Sequence, residues 1–458
     1  MKKLFALLLS CIVLGVSVGC GDSDAPIVQD GDKPFDESHI RSLTDEVLSY
    51  LWDGSYDDVY SMLDENASKQ LTPDMLEQAF VTISAEVGEK TDNIRLDCSY
   101  ENDFAISTAV QECSEAELIL TTVFNTDMQI SGINLNFKPL ETATVSTDKF
   151  SENAVTVGAD SGYPLEGILT LPNNVEKPPV VLLVHGSGSS DKNETIFKNK
   201  PFEDIAHALA ENGIASLRYD KRYFTYPEAA AKEKLNIENE VLDDVKSAIA
   251  LLSADERIDG NNIFVLGHSL GGMLVPNIAY ENQNVKGVIS MAGSLRPLYE
   301  IQYDQNKDIE QSYLVKSSIS DEELNMLRNQ MGQVEKDIEV LRGDISVVND
   351  DTILLGVPAS YYKSLDEHSG MKYIDKIKVP MLILQGDADF QVYPNKDFAL
   401  WQEVLGNREN VSFRLYEGLN HLMMETNGLK DASEYKTEGH VSSAVTADIA
   451  EFILNYSE

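Results

Sequence analysis

Residues 263–272 read IFVLGHSLGG, and the remainder of the chain is best understood outward from them. Ile263, Phe264, Val265 and Leu266 form a continuous apolar run, as expected of a strand covered on both faces in a parallel sheet. Gly267-His268-Ser269-Leu270-Gly271 follows at once, a G-x-S-x-G pentapeptide. Met273, Leu274, Ile278 and Ala279 then recur at helical spacing. Strand, sharp turn and helix form the context in which such a pentapeptide presents its serine on a strained backbone. The two glycines let strand and helix approach closely. The Ser269 hydroxyl is then expected at the carboxyl end of the sheet, with the Leu270 N–H aimed at the same spot. A glycine-rich turn with a capping serine has the same local pattern, so the reading depends on what the rest of the chain supplies.

Around this stretch, apolar runs alternate with helical patterns. Ala154–Val157 and Leu165–Leu171 read as strands, as do Val180–Val184, Ile214–Tyr219, Val285–Met291, Met381–Leu384 and Val411–Tyr416. Phe202–Asn212, the stretch from Val241 to Leu252, Asn395–Leu405 and Val441–Leu454 carry helical spacing. The alternation predicts an α/β fold with a doubly wound, mostly parallel sheet over residues 151–458. Ser294–Asp375 interrupts it with a mostly helical section, in which Leu324, Leu327, Met331, Val334, Ile338 and Leu341 make one apolar stripe. This insertion is expected to stand as a cap over Ser269.

A serine hydroxyl is a weak nucleophile at neutral pH and needs a base beside it. Asp387 and Asp389 follow the Met381–Leu384 strand, and His421 follows the Val411–Tyr416 strand, both at the rim expected for Ser269. The order serine, acid, histidine fits a triad on such a sheet. Asp389 is preferred over Asp387, which reads as a solvated or turn-stabilising residue. His440 lies far past the last strand, and His268 is expected to point away from the hydroxyl. His185-Gly186-Ser187-Gly188 ends the Val180–Val184 strand, where the Ser187 N–H would join the Leu270 N–H as an oxyanion donor. His185 reads as a residue that bonds loop backbone. No metal or organic cofactor is required by this chemistry.

The stretch from His185 to Arg222, with GHSLGG at 267–272, LQGDADFQV at 384–392 and GLNHLMM at 418–424, resembles bacterial α/β-hydrolases of the serine esterase, dienelactone hydrolase and serine aminopeptidase S33-like group. The resemblance spans about two thirds of the chain. It implies ester or amide hydrolysis, places the acid on Asp389 and the base on His421, and leaves the substrate open. It also implies a structural salt-bridge network for Arg218, Asp220, Lys221 and Arg222, the alternative being an arginine that binds a substrate carboxylate. Small or medium carboxylic esters are the expected substrates and peptides the second choice, with an inactive binding lipoprotein as the reading from another class.

Residues 40–137 have a different pattern. Leu43, Val47, Leu48 and Leu51 recur at helical spacing, and Thr72-Pro73 reads as a helix start. Alternation from Ile94 onward then predicts a sheet of about four strands. Helices followed by an antiparallel sheet resemble the NTF2-like domains of unknown function (DUF3887-like) found ahead of some bacterial hydrolases. Residues 138–150 read as a linker. Cys98 and Cys113 read as either a disulfide or two buried thiols.

The N-terminus looks like an export signal. Lys2 and Lys3 precede an apolar run from Leu4 to Val18, too short for a membrane span. The run ends at Gly19-Cys20, which resembles a bacterial lipoprotein signal with lipidation at Cys20; an ordinary secretory signal is the alternative. The acidic residues 21–39 read as a tether. The expected location is the cell envelope, with membrane contact through the lipid anchor alone. With 36 Lys+Arg against 76 Asp+Glu, the net charge of −40 excludes nucleic acid as a partner.

Overall fold

The computed structural model describes residues 35–69, 71–101, 103–139, 144–226, 234–315 and 321–457. The leader, Cys20 and most of the acidic tether lie outside the described residues. Two compact units divide the chain between residues 143 and 144. No described helix is long and apolar enough to cross a membrane.

The smaller unit opens with helix α1 (Glu37–Asp53), inside the span expected to be tether. Asp36 starts it by accepting a bond from the Ser38 N–H at 2.9 Å. Helices α2 (Tyr56–Ser61) and α3 (Pro73–Val87) follow, the latter begun by Thr72, whose hydroxyl accepts from the Met75 N–H. The four strands β1 (Lys90–Glu101), β2 (Phe104–Cys113), β3 (Ala116–Phe124) and β4 (Ile130–Pro139) form one antiparallel sheet in sequence order. Along β3 buried and half-buried positions alternate, because successive side chains point to opposite faces. The buried set, with Leu118, Leu120 and Phe124, joins Ile40, Val47 and Leu51 of α1 in one core.

The β1–β2 register rules out the disulfide reading. Cys98 pairs with Ser107, while Cys113 pairs with Lys90 near the far end of the ladder. Six residues along β2 separate Ser107 from Cys113, roughly 20 Å at the usual rise per residue. A disulfide requires Cα atoms closer than about 7 Å. Both cysteines are free thiols.

The larger unit is an eight-stranded sheet. Its strands are β5 (Phe150–Val157), β6 (Leu165–Pro172), β7 (Val180–Val184), β8 (Ala215–Tyr219), β9 (Ile263–His268), β10 (Val285–Met291), β11 (Met381–Gly386) and β12 (Val411–Tyr416). Their order across the sheet is β12-β11-β10-β9-β7-β8-β6-β5. Only β6 runs against its neighbours. Strands β7 and β9 are buried at every residue, which is why they read as unbroken apolar runs.

Helices cover both faces. Helices α4 (Pro201–Glu211) and α10 (Ser443–Ser457) pack on one side, against Val181, Leu183, Phe264 and Leu266. Helices α5 (Asp243–Ala254) and α6 (Leu270–Glu281) pack on the other, against Val180, Leu182 and Val265. The odd and even residues of β7, and likewise of β9, thus feed two separate cores.

The section between β10 and β11 folds as helices α7 (Leu298–Leu314), α8 (Asp321–Arg342) and α9 (Ala359–Glu367), with a two-residue hairpin before α9. Leu327, Met331, Ile338 and Leu341 are buried as the α8 stripe requires. Arg296, just before α7, binds Asp397 at 2.8 Å and Asp304 at 2.7 Å, and so ties the insertion to the loop after β11.

Arg218, fully buried on β8, donates to Glu152 at 2.7 Å, Thr170 at 2.9 Å and Asn193 at 2.9 Å, one bond from each of its three nitrogens. Arg222 pairs with Asp244 at 2.7 Å and Asp220 with Lys192 at 3.2 Å. This cluster is a structural network, and both arginines are spent on internal carboxylates.

Candidate active site

Ser269 stands between β9 and α6 with φ 51° and ψ −113°. A non-glycine residue at positive φ is strained, and the strain persists only where the surroundings impose it. The turn is imposed from both sides. A Cβ on Gly267 would lie 2.2 Å from the Gly271 backbone, and one on Gly271 would lie 2.3 Å from the Val184 carbonyl. The Ser269 N–H donates to the Met291 carbonyl at 2.9 Å and the Gly271 N–H to the His185 carbonyl at 3.1 Å. The Leu270 N–H between them makes no hydrogen bond among the described residues.

The loop after β7 lies against this turn. A Cβ on Gly186 would sit 3.2 Å from the Ser269 Cβ and 3.7 Å from its hydroxyl oxygen. Gly186 donates its N–H to Glu194 Oε1 at 2.7 Å, and Gly188 donates to Glu240 Oε1 at 3.2 Å. The intervening Ser187 N–H, like that of Leu270, makes no bond among the described residues.

Asp389 is 4 % exposed and meets His421 Nδ1 at 2.7 Å through Oδ2. The same oxygen accepts from Gln385 Nε2 at 2.8 Å. Oδ1 accepts from the backbone N–H groups of Gln391 at 2.8 Å and Val392 at 2.9 Å. With Nδ1 donating to the carboxylate, Nε2 is left as the basic nitrogen of the ring. Asp387 is exposed, and its Oδ1 accepts the Gly418 N–H at 2.6 Å, pinning one rim loop to the next.

The other histidines have separate duties. His440 is exposed and bonded to Asp204. His185 meets the Asp191 carbonyl at 2.9 Å, and burial depresses its pKa to about 4, so the ring is neutral. Both ring nitrogens of His268 face groups other than the hydroxyl. Its Nε2 lies 3.0 Å from the His421 carbonyl oxygen, and its Nδ1 lies 2.9 Å from Glu194 Oε2, off the ideal hydrogen-bond line. The His268 and His421 ring centroids are 4.8 Å apart. Burial opposes charge on both Glu194 and His268, yet their attraction prevails. It holds the carboxyl below its ordinary range and the imidazole above its own. Glu194 therefore joins three loops: that of Gly186 directly, and the elbow and the His421 loop through His268.

Glu194, Gln385, Lys221 and Glu240 were not legible as site residues. Glu194 is one acid in the polar run SSDKNE, and its backbone sits at φ 53° although it is not glycine. Nothing in linear spacing marks it.

A strained serine between a parallel strand and a helix, with a buried Asp–His pair on the loops after two further strands of the same sheet, defines an α/β-hydrolase. Comparison with known proteins agrees. Residues 176–427 match the family described as serine aminopeptidase, S33, and residues 44–133 match a family of unknown function, DUF3887. The chain is 31% identical over 414 residues to the esterase EstD of Thermotoga maritima, covering 89% of this chain and 93% of that protein. Among solved structures it is similar to Est1E from Butyrivibrio proteoclasticus, with 17% identity and a TM-score of 0.41 over 66% of this chain and 98% of that one. It is also similar to a Mycobacterium tuberculosis puromycin-hydrolyzing peptidase, with 16% identity and a TM-score of 0.42 over 78% of this chain and 46% of that one. The chain belongs to the S33 serine aminopeptidase family of α/β-hydrolases and is a serine hydrolase.

Proposed function

We propose that this protein hydrolyses carboxylic esters through an acyl-enzyme on Ser269, and that it works in the cell envelope as an exported lipoprotein anchored at Cys20. The observation that carries the chemistry is the 2.7 Å contact between Asp389 and His421, in a loop bonded to the turn that holds Ser269. His421 Nε2 takes the Ser269 proton as the hydroxyl oxygen attacks the ester carbonyl. Asp389 keeps the ring in the required tautomer and stabilises the imidazolium that forms. The Ser187 and Leu270 N–H groups bind the oxyanion. His421 then protonates the departing alkoxide, and water releases the acid by the same steps. The similarity to an enzyme named as an esterase favours esters; the family description favours peptides as the second reading.

Labelling with a fluorophosphonate, followed by turnover of p-nitrophenyl esters beside aminoacyl p-nitroanilides, tests the reading. Labelling of the wild type, its absence in Ser269→Ala, and preference for the esters are expected. Faster anilide cleavage would replace esterase with peptidase. A folded wild type that neither labels nor turns over would be a binding lipoprotein. For the anchor, incorporation of labelled fatty acid into the full-length protein but not into Cys20→Ala is expected, and equal incorporation overturns it.

A further inference from the structure

We infer that Lys221 is a positioning residue for transition-state stabilisation, fixing and polarising the peptide unit whose N–H belongs to Ser187. The inference rests on the assignment of that N–H as an oxyanion donor. The Gly186 carbonyl and the Ser187 N–H are the two ends of one planar, conjugated amide and point in opposite directions. Lys221 Nζ, on a residue 3 % exposed, lies 2.8 Å from the Gly186 oxygen. Holding the oxygen fixes the plane and hence the direction of the N–H. A cation on the oxygen also draws electron density through the amide and makes the N–H a stronger donor, an effect enlarged by the low dielectric of a buried site.

The neighbouring peptides are pinned as well. Glu194 takes the Gly186 N–H at 2.7 Å, and Glu240 takes the Gly188 N–H at 3.2 Å. Glu240 Oε1 also receives Lys221 Nζ at 2.8 Å, and its Oε2 receives the Tyr361 hydroxyl at 2.6 Å. Tyr361 belongs to α9 of the insertion. The loop is therefore held by one buried cation and two buried carboxylates, and it is connected to the insertion through a phenol. Glycines at 186 and 188 suit this loop, since Gly188 has φ 87° and a side chain on Gly186 would press on Ser269. Lys221 lies two residues past the end of β8 and donates its own N–H to the Ser190 carbonyl at 3.0 Å, so the ammonium is delivered from a rigid base. An anchor without electrostatic work would leave the donor strength of the amide untouched, and this difference can be measured.

The experiment compares full-length wild type, Lys221→Met, Lys221→Arg and the double variant Lys221→Met/Glu240→Gln, which leaves no stranded carboxylate. Steady-state ester hydrolysis is measured beside inhibition by a boronic acid, which forms a tetrahedral anion on the serine, and folding is checked by circular dichroism. Lys221→Met and the double variant are expected to lose about 10²-fold in kcat, the scale of one weakened oxyanion donor, with KM within about threefold. Boronate affinity is expected to fall in parallel with kcat/KM, and Lys221→Arg to recover part of both. A folded double variant with unchanged kcat overturns the inference. So does a loss confined to KM, or a loss of kcat with boronate affinity unchanged. Wild type that shows no turnover and no Ser269 labelling instead brings down the esterase reading itself, which separates the two failures.

Discussion

The two units treat buried polarity in opposite ways. Among the described residues, the buried polar side chains of the smaller unit are Thr44, Ser107, Gln111 and Thr122, all neutral. Those of the larger unit include Glu152, Glu194, Arg218, Lys221, Glu240, Asp244, Asp389 and Asp397. Removing charge from water costs several kcal/mol per ion unless partners compensate, so burial on this scale calls for a reason. Two reasons are visible. Glu194, Lys221, Glu240 and Asp389 each bind a loop at the rim that carries Ser269. Glu152 and Arg218 bind each other between β5 and β8, and Arg218 also reaches Asn193, but neither bonds His421 or a peptide unit of Gly186 to Gly188. Buried charge marks the unit that does chemistry, and bonds to His421 or to the Gly186–Gly188 peptides separate the working charges from the architectural ones.

The largest loss is expected at the nucleophile. Ser269→Ala is expected to lower kcat by 10⁴-fold or more while both units remain folded, measured as ester turnover beside circular dichroism. Survival of turnover would move the chemistry away from the rim. The acid comes next. Asp389→Asn is expected to lose about 10⁴-fold by disturbing the His421 tautomer. Asp387→Asn, which touches only the Gly418 N–H, is expected to stay within about threefold. Equal losses would mean that the loop, rather than the Asp389 carboxylate, is what matters.

Stability sharpens the contrast between the units. Arg218→Met takes the guanidinium from buried Glu152, leaving it His207 and the Val145 N–H, and is expected to cost the larger unit about 3 kcal/mol in denaturant unfolding. In the smaller unit, Gln111→Leu removes a neutral acceptor from Trp52 Nε1 and is expected to cost about 1–2 kcal/mol. Similar costs would erase the distinction.

The smallest expected effect is on pH dependence. Burial raises the pKa of Glu152, but His207 and Arg218 outweigh it and bring the value to about 2, against 4.5 for a free side chain. A depressed carboxyl adds stability that is complete above about pH 4.5 and is lost as pH falls through 2. His185, held near 4 against 6.5, has the same sign: its share is present above 6.5 and is lost on the way down to 4. Thermal unfolding from pH 7 to 3 should show the decline. Glu152→Gln should start less stable and decline less steeply below pH 4.5, and a parallel curve would show that this carboxylate does not set the acid limb.

The strands, the serine turn and the order of Ser269, Asp389 and His421 along one rim were readable from the chain alone. These features are written in local terms: buried parallel strands need unbroken apolar runs, a close strand–helix turn needs glycine, and loops at strand ends share an edge of the sheet. The helical pattern of α8 and the alternation of β3 were readable for the same reason. The remaining features depend on which distant atoms meet in the folded chain. The β1–β2 register separated Cys98 from Cys113, although both had looked available for a bond. The turn around Gln385–Val392 brought three donors to Asp389 and turned Asp387 outward. Arg218 and Arg222 found internal carboxylates. Glu194 met His268, and Lys221 met the Gly186 carbonyl, across gaps of 74 and 35 residues in the chain. Periodicity records which face of an element is buried, but not which charge lies across the core, because a buried ion pair needs its two partners close in space at any separation in sequence.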